Sequence, residues 1–270
     1  MRGVFEAERR AVVTGAAGGI GRAMACAFAA RGMRVVVSDL PGEALDATAE
    51  ACGGLAVPAD FARPGAAEAL REAALARLGG VEVVCANHVT RAGRGFASLE
   101  AWRAAFEVNF WGVAEVCRAF LPALEAAEGP RALVTTGSKQ GVANPPGHPI
   151  YNIAKAALKV HAEALEHELR GRDGNLSGPG RLSSHLLIPG WTWIGEGAAP
   201  DGAWTPAQVV ERLIAAVEAD AFYVLCQDGE TDLARDQARI AWAAGDLAQG
   251  RPPLSRWHPE WAEAAREAGC

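Results

Sequence analysis

Apolar and polar residues alternate along this chain in two rhythms. Short strand-like runs, rich in Val, Leu, Ile and Ala, occur at 11–14, 34–38, 55–57, 81–86, 131–136, 182–188 and 222–226. Runs this short, with apolar residues on consecutive positions, fit strands covered on both faces better than strands with one wet face. Between them, residues 19–31, 42–52, 64–78, 98–127, 150–170 and 206–219 place apolar side chains at the three-to-four spacing of helices with one buried face. Strands alternating with helices predict a doubly wound parallel sheet with helices on both sides. Ligands of such sheets bind beyond the carboxyl ends of the strands. Residues 10–230 form this single domain, residues 1–9 are expected to be a flexible leader, and residues 231–270 follow as an extension. A polar, glycine-rich turn is expected from Gly171 to Gly180.

Chemistry first appears where the opening strand ends. Ala11-Val12-Val13 runs into Thr14-Gly15-Ala16-Ala17-Gly18-Gly19-Ile20-Gly21, a helix follows, and the strand Arg34–Ser38 ends at Asp39. Gly15 allows a tight turn, while Gly19 and Gly21 let backbone approach a pyrophosphate and the helix pack closely. The helix N-terminus offers unpaired N–H groups and the positive end of its dipole. Strand, glycine turn, helix, strand and carboxylate make a dinucleotide-binding βαβ unit, so the fold class is a Rossmann-type α/β three-layer sandwich. Asp39 can accept hydrogen bonds from a ribose 2′-hydroxyl and would repel a 2′-phosphate, which selects NAD over NADP.

Tyr151 and Lys155 lie one helical turn apart in Tyr151-Asn152-Ile153-Ala154-Lys155, with Ser138 upstream. A phenol titrates near pH ~10. An adjacent ammonium favours phenolate, giving a base suited to deprotonating an alcohol while hydride leaves. The glycine spacing, with Asp39, Asn87, Asn109, Ser138, Tyr151 and Lys155 in this order, resembles the short-chain dehydrogenases/reductases. The resemblance spans about residues 10–230. It implies a catalytic set of Asn109, Ser138, Tyr151 and Lys155. It also implies cofactor contacts from Gly15, Gly19, Ile20, Gly21, Asp39, Asp60, Phe61, Asn87, Tyr151, Lys155, Pro189 and Thr192. Ser138, Gln140, His148, Tyr151, Trp191 and Trp193 become the expected substrate wall, and its tryptophans suit an apolar or cyclic secondary alcohol or ketone. Two residues depart from the family's pattern: Val89 stands where a glycine is usual, and Ile194 where a threonine is.

Other readings stay open beside this one. They are an NADP-dependent carbonyl reductase and a catalytically silent NAD-binding protein. Asn109 can also be a helix-kink residue, and Lys139 a solvated loop charge or a partner for an acidic substrate group. The extension, with Trp242, Trp257 and Trp261, either covers the mouth of the site or extends the core or an oligomer contact.

Composition narrows the partners. The 270 residues are 50% apolar with a net charge of −6, which gives no electrostatic reason to bind nucleic acid. No apolar run reaches the ~18 residues of a membrane span. Six scattered cysteines without paired spacing argue against a metal site and fit a reducing, cytoplasmic compartment. Helices 98–127 and 150–170 carry apolar residues in excess, and the family resemblance implies that copies pair along them as a homodimer or homotetramer.

Overall fold

The computed structural model describes residues 3–90, 93–96, 98–172, 181–195, 197–229 and 231–270. Seven strands form one parallel sheet: β1 (Arg10–Thr14), β2 (Arg34–Ser38), β3 (Leu55–Ala56), β4 (Val83–Ala86), β5 (Arg131–Thr136), β6 (Leu182–Ile188) and β7 (Tyr223–Leu225). Their order is β3-β2-β1-β4-β5-β6-β7, so the chain reverses direction across the sheet between β1 and β4. This is the doubly wound Rossmann-type arrangement expected from the sequence, and it leaves a crevice above the β1/β4 junction. The register pairs Val12 with Val36 on one side and with Val84 on the other, three fully buried side chains.

The helices are α1 (Gly19–Ala29), α2 (Glu43–Cys52), α3 (Ala66–Leu78), α4 (Leu99–Phe106), α5 (Val113–Ala126), α6 (Gln140–Ala143), α7 (Pro149–Arg172), α8 (Pro206–Glu218), α9 (Leu233–Ala248) and α10 (Ala262–Glu267). They cover both sheet faces, because successive strand residues point to opposite sides. Val13, Val35 and Val37 join Met24, Phe28 and Leu213 beneath α1 and α8. Val12, Val36 and Val84 join Leu70, Phe120 and Leu158 beneath α3, α5 and α7. Most of the expected 171–180 turn, from residue 173 onward, lies outside the described residues.

Three features differ from the sequence reading. The first concerns the leader: Val4 and Phe5 are buried, Phe5 stacks on Phe28 at 4.9 Å, and the Glu8 N–H donates to the Gly32 carbonyl. Two apolar side chains are enough to dock this segment on the core. The second is that the expected helix 98–127 is broken by a π-helical turn, Glu107–Gly112, between α4 and α5. The third is that Lys139 is not a solvated charge. It lies 2.6 Å from Asp236 and 3.0 Å from Asp228, both buried carboxylates, and donates to the Thr231 hydroxyl at 2.8 Å.

That ion cluster fastens the extension to the segment after β5. Within the extension, the Trp242 indole donates to Ser255 Oγ at 2.8 Å, and Arg251 lies over the Trp242 ring while pairing with Asp246 at 3.0 Å. Among the described helices, none is long and apolar enough to cross a membrane.

Candidate active site

The crevice above β1, β4 and β5 has a volume of about 420 Å3. Its floor begins at the glycine turn. Gly15 takes φ +65°, and a Cβ placed there would lie 2.6 Å from the His88 Cα. Only glycine meets both demands. Gly21 lies below the floor, against the Gly15 carbonyl, where a side chain would hold α1 away from β1. Gly18 precedes α1 in extended conformation and provides no side-chain cap, so the helix's opening N–H groups face the crevice beside Gly19 and Ile20. Such an uncapped start suits a phosphate.

Asp39 reaches the same crevice from the end of β2. One of its carboxylate oxygens accepts from the Ala17 N–H at 2.9 Å and the other from the Leu40 N–H at 2.8 Å. Asn87 joins three strand ends. Its Nδ2 donates to the carbonyls of Thr14 and Gly15 at 3.3 and 3.4 Å, and its Oδ1 accepts from the Thr136 hydroxyl at 3.0 Å.

Ser138, Tyr151 and Lys155 meet on the far wall. Ser138 Oγ accepts from the Gln140 N–H at 3.1 Å, which fixes the oxygen and leaves its proton to donate inward. Lys155 is buried, donates to the Thr136 carbonyl at 2.7 Å, and holds its Nζ 5.8 Å from the centre of the Tyr151 ring. Burial pulls the Lys155 ammonium down to about 8. The one-turn spacing of Tyr151 and Lys155 predicts a phenol pulled toward neutrality by the ammonium. In the free protein, burial instead raises the phenol, and a side-chain hydrogen bond with Ser138 works in the opposite direction. Burial outweighs that hydrogen bond because the phenol lies in a water-poor wall.

Of the residues singled out from sequence, Gly15, Gly19, Ile20, Asp39, Asn87, Ser138, Tyr151, Lys155, Pro189 and Thr192 line the crevice. Asp60 is outside this crevice lining, follows Ala59 whose N–H donates to the Asp39 carbonyl at 2.8 Å, and pairs with Arg63 at 3.1 Å. Phe61 is buried under the crevice floor, its ring stacked on His88 at 3.9 Å. The buried Asn109 uses both ends of its amide on the backbone of Thr90, at 2.7 and 3.1 Å, within the π-helical turn. Its side chain therefore holds the chain after β4 in place. Gln140 faces a different cavity, and His148, Trp191 and Trp193 stand outside the crevice lining.

Sequence reasoning did not single out Thr136 and Gly137 for this crevice. They enter it because β5 ends there, and the final residues of a strand beside the topological switch were the available signal. Val89, 53% exposed, and Ile194, 67% exposed, both line the crevice, and Ile194 closes over Gly19. His88 turns away into the core, where its Nδ1 lies 2.8 Å from the Thr14 hydroxyl. Burial pushes its imidazole down to about 3, so it stays neutral.

Comparison with known proteins converges on one family. A family model described as short chain dehydrogenase matches residues 9–182. A 1-deoxy-11-beta-hydroxypentalenate dehydrogenase from Streptomyces exfoliatus is 33% identical over 260 residues, covering 92% of this chain and 94% of its own. A 3beta-hydroxysteroid dehydrogenase 1 from Eggerthella lenta is 32% identical, covering 65% of this chain and 71% of its own. A crystal structure of a short chain dehydrogenase/reductase from Burkholderia phymatum in complex with NAD superposes with a TM-score of 0.81 at 26% identity, covering 92% of this chain and 97% of that one.

Proposed function

This chain belongs to the short-chain dehydrogenase/reductase family, and on that premise we infer that it is an NAD-dependent dehydrogenase of an apolar, cyclic secondary alcohol. One observation carries the reading: Ser138, Tyr151 and Lys155 converge on the crevice that also holds the glycine turn and Asp39. The Asp39 carboxylate is placed to accept from a ribose 2′-hydroxyl and would repel a phosphate there, which favours NAD. The NAD complex of the Burkholderia phymatum relative supports the same choice. The substrate class follows from the relatives' hydroxylated ring compounds and from the apolar side chains of Val89 and Ile194 in the crevice.

NAD, when bound, supplies the hydride-accepting nicotinamide. The free N–H groups at the start of α1 would hold its phosphates, and Lys155 is within the wall to meet its nicotinamide ribose. Ser138 directs its hydroxyl proton at the substrate oxygen, where charge builds in the transition state. Tyr151 takes the proton of the alcohol, helped by the Ser138 hydrogen bond and the Lys155 ammonium and opposed by burial. Asn109 acts by positioning the residues after β4. In the reverse direction Tyr151 returns the proton to the forming alcohol.

NADH fluorescence over a panel of cyclic secondary alcohols tests the proposal, with NAD and NADP compared at equal concentration. Tyr151→Phe should abolish turnover and leave NAD binding intact. A variant that keeps wild-type turnover would refute the assigned proton transfer. Half-exposed Trp111 in the π-helical turn, with Ile153 and Val160 (63% exposed) on α7, supports pairing of two copies along the π-helical turn and α7, which sedimentation would measure.

A further inference from the structure

The extension and α6 flank a second, partly open cavity of about 200 Å3, which shares no lining residue with the crevice. The segment from Ser138 to Gln140 runs between the two: Ser138 faces the crevice, while Lys139 and Gln140 face this cavity. Ile188, Leu225, Val142 and Ile240 supply apolar wall. The polar lining is out of balance. Lys139 is committed to Asp228 and Asp236. Arg239 and Arg256 remain, and neither makes an ion pair among the described residues. Arg239 Nε and Arg256 Nη1 are both buried without a hydrogen-bond partner, as is Gln140 Oε1.

Buried donors without acceptors are rare, and here both belong to partly exposed guanidinium groups whose inward N–H edges face the cavity. Arg251 in the same extension shows the ordinary solution, with its guanidinium paired to Asp246. Arg256 is further restricted because its guanidinium lies over the Trp257 ring at 4.1 Å, which occupies one face and leaves the N–H edge to bond. Burial, and next the charge of Arg239, pull Arg256 below its ordinary value, with Asp236 and the Cys270 thiol acting the other way.

We propose that this cavity is a binding site for a small organic carboxylate, its oxygens held by Arg239 and Arg256 and its apolar body lying on Ile188, Leu225 and Ile240. Guanidinium edges match the planar carboxylate in size and direction. A doubly charged phosphate suits the site less well, since Asp236 lines the same cavity and would repel it.

The test is calorimetry on the full chain with hexanoate and its neutral counterpart hexanamide. Hexanoate should bind at least tenfold more tightly. Arg239→Gln and Arg256→Gln should each weaken hexanoate at least tenfold while leaving hexanamide and NAD binding unchanged. Thermal unfolding of ligand-free Arg239→Gln adds an independent readout. A binding arginine without an internal partner should be replaceable with no loss of melting temperature, whereas an arginine that serves the fold would lower it. Equal binding of hexanoate and hexanamide, no binding of either, or a destabilised variant that retains hexanoate affinity would overturn the proposal. The ligand pair on the unaltered protein carries the test if a variant fails to fold.

Discussion

Replacing Lys139 by methionine should unsettle the molecule in a pH-dependent way. The lysine side chain is 17% exposed, and those of Asp228 and Asp236 are 8% and 5% exposed. Methionine keeps most of the aliphatic stem and removes only the charge, leaving two buried carboxylates facing each other. Removing one partner of a buried ion pair costs about 3–5 kcal/mol. At roughly 2–4 °C per kcal/mol for a domain of this size, the melting temperature should fall by about 10 °C at pH 7. Asp228 now sits below the usual carboxylate range; burial opposes this, and Thr231 and Lys139 bring it about. Burial holds Asp236 above that range, with Lys139 pulling against it. Without the lysine, both folded-state values rise above those of the unfolded chain. The penalty is then present while both groups are ionised and fades as pH falls toward those raised values. Scanning calorimetry of wild type and variant at pH 7.5 and pH 5 should show the gap narrowing at the lower pH. A loss under 1 kcal/mol, or a gap independent of pH, would refute the cluster's role.

Further consequences can be measured separately. Gly15→Ala combines a positive φ with a collision against the His88 backbone, and should cost about 1–3 kcal/mol and most NAD affinity, read by unfolding and NADH fluorescence. Lys155 titrates near 8 when folded and near ~10.4 when unfolded. The unfolded chain therefore binds the extra proton between these values, and folded stability rises with pH across that window, by at most about 1.4 kcal/mol per unit. Urea unfolding at pH 7 and 9.5 should show that slope in the wild type and its loss in Lys155→Met. Phe5→Ala should cost about 3 kcal/mol, whereas a mobile leader would register no change in the denaturation midpoint.

The sheet was legible because central parallel strands are apolar on both faces. The strand Val83–Ala86, VVCA, shows this plainly, whereas Leu182–Ile188 buries Ser183, Ser184 and His185 as well and was legible from its apolar ends. The glycine turn, Asp39, Ser138, Tyr151 and Lys155 were legible because each needs a particular residue type at a fixed point along a strand–turn–helix unit. What escaped depends on partners distant in sequence. Lys139 sits in a polar stretch and looks solvated, while the carboxylates that bury it lie some ninety residues downstream. Asn109 falls within continuous helical spacing, and nothing local reveals that Thr90 will claim its amide and open a π-helical turn. Val4 and Phe5 are too few to establish a period, although two side chains can fill a gap over Phe28. Tyr151 shows a different limit: residue spacing reports which charge is near, but not how much water the fold removes.

The bare beginning of α1 has a bearing on how long this protein lasts. Gly18 brings nothing to quiet the helix's leading amides, so the apoprotein is left with a debt at its most ordered edge. A dinucleotide that settles it would tighten the whole domain by mass action, worth about 2.7 kcal/mol at a hundredfold excess over its dissociation constant. Resistance to proteolysis would then follow the coenzyme pool, and starving the protein of dinucleotide would shorten its life as well as idle it.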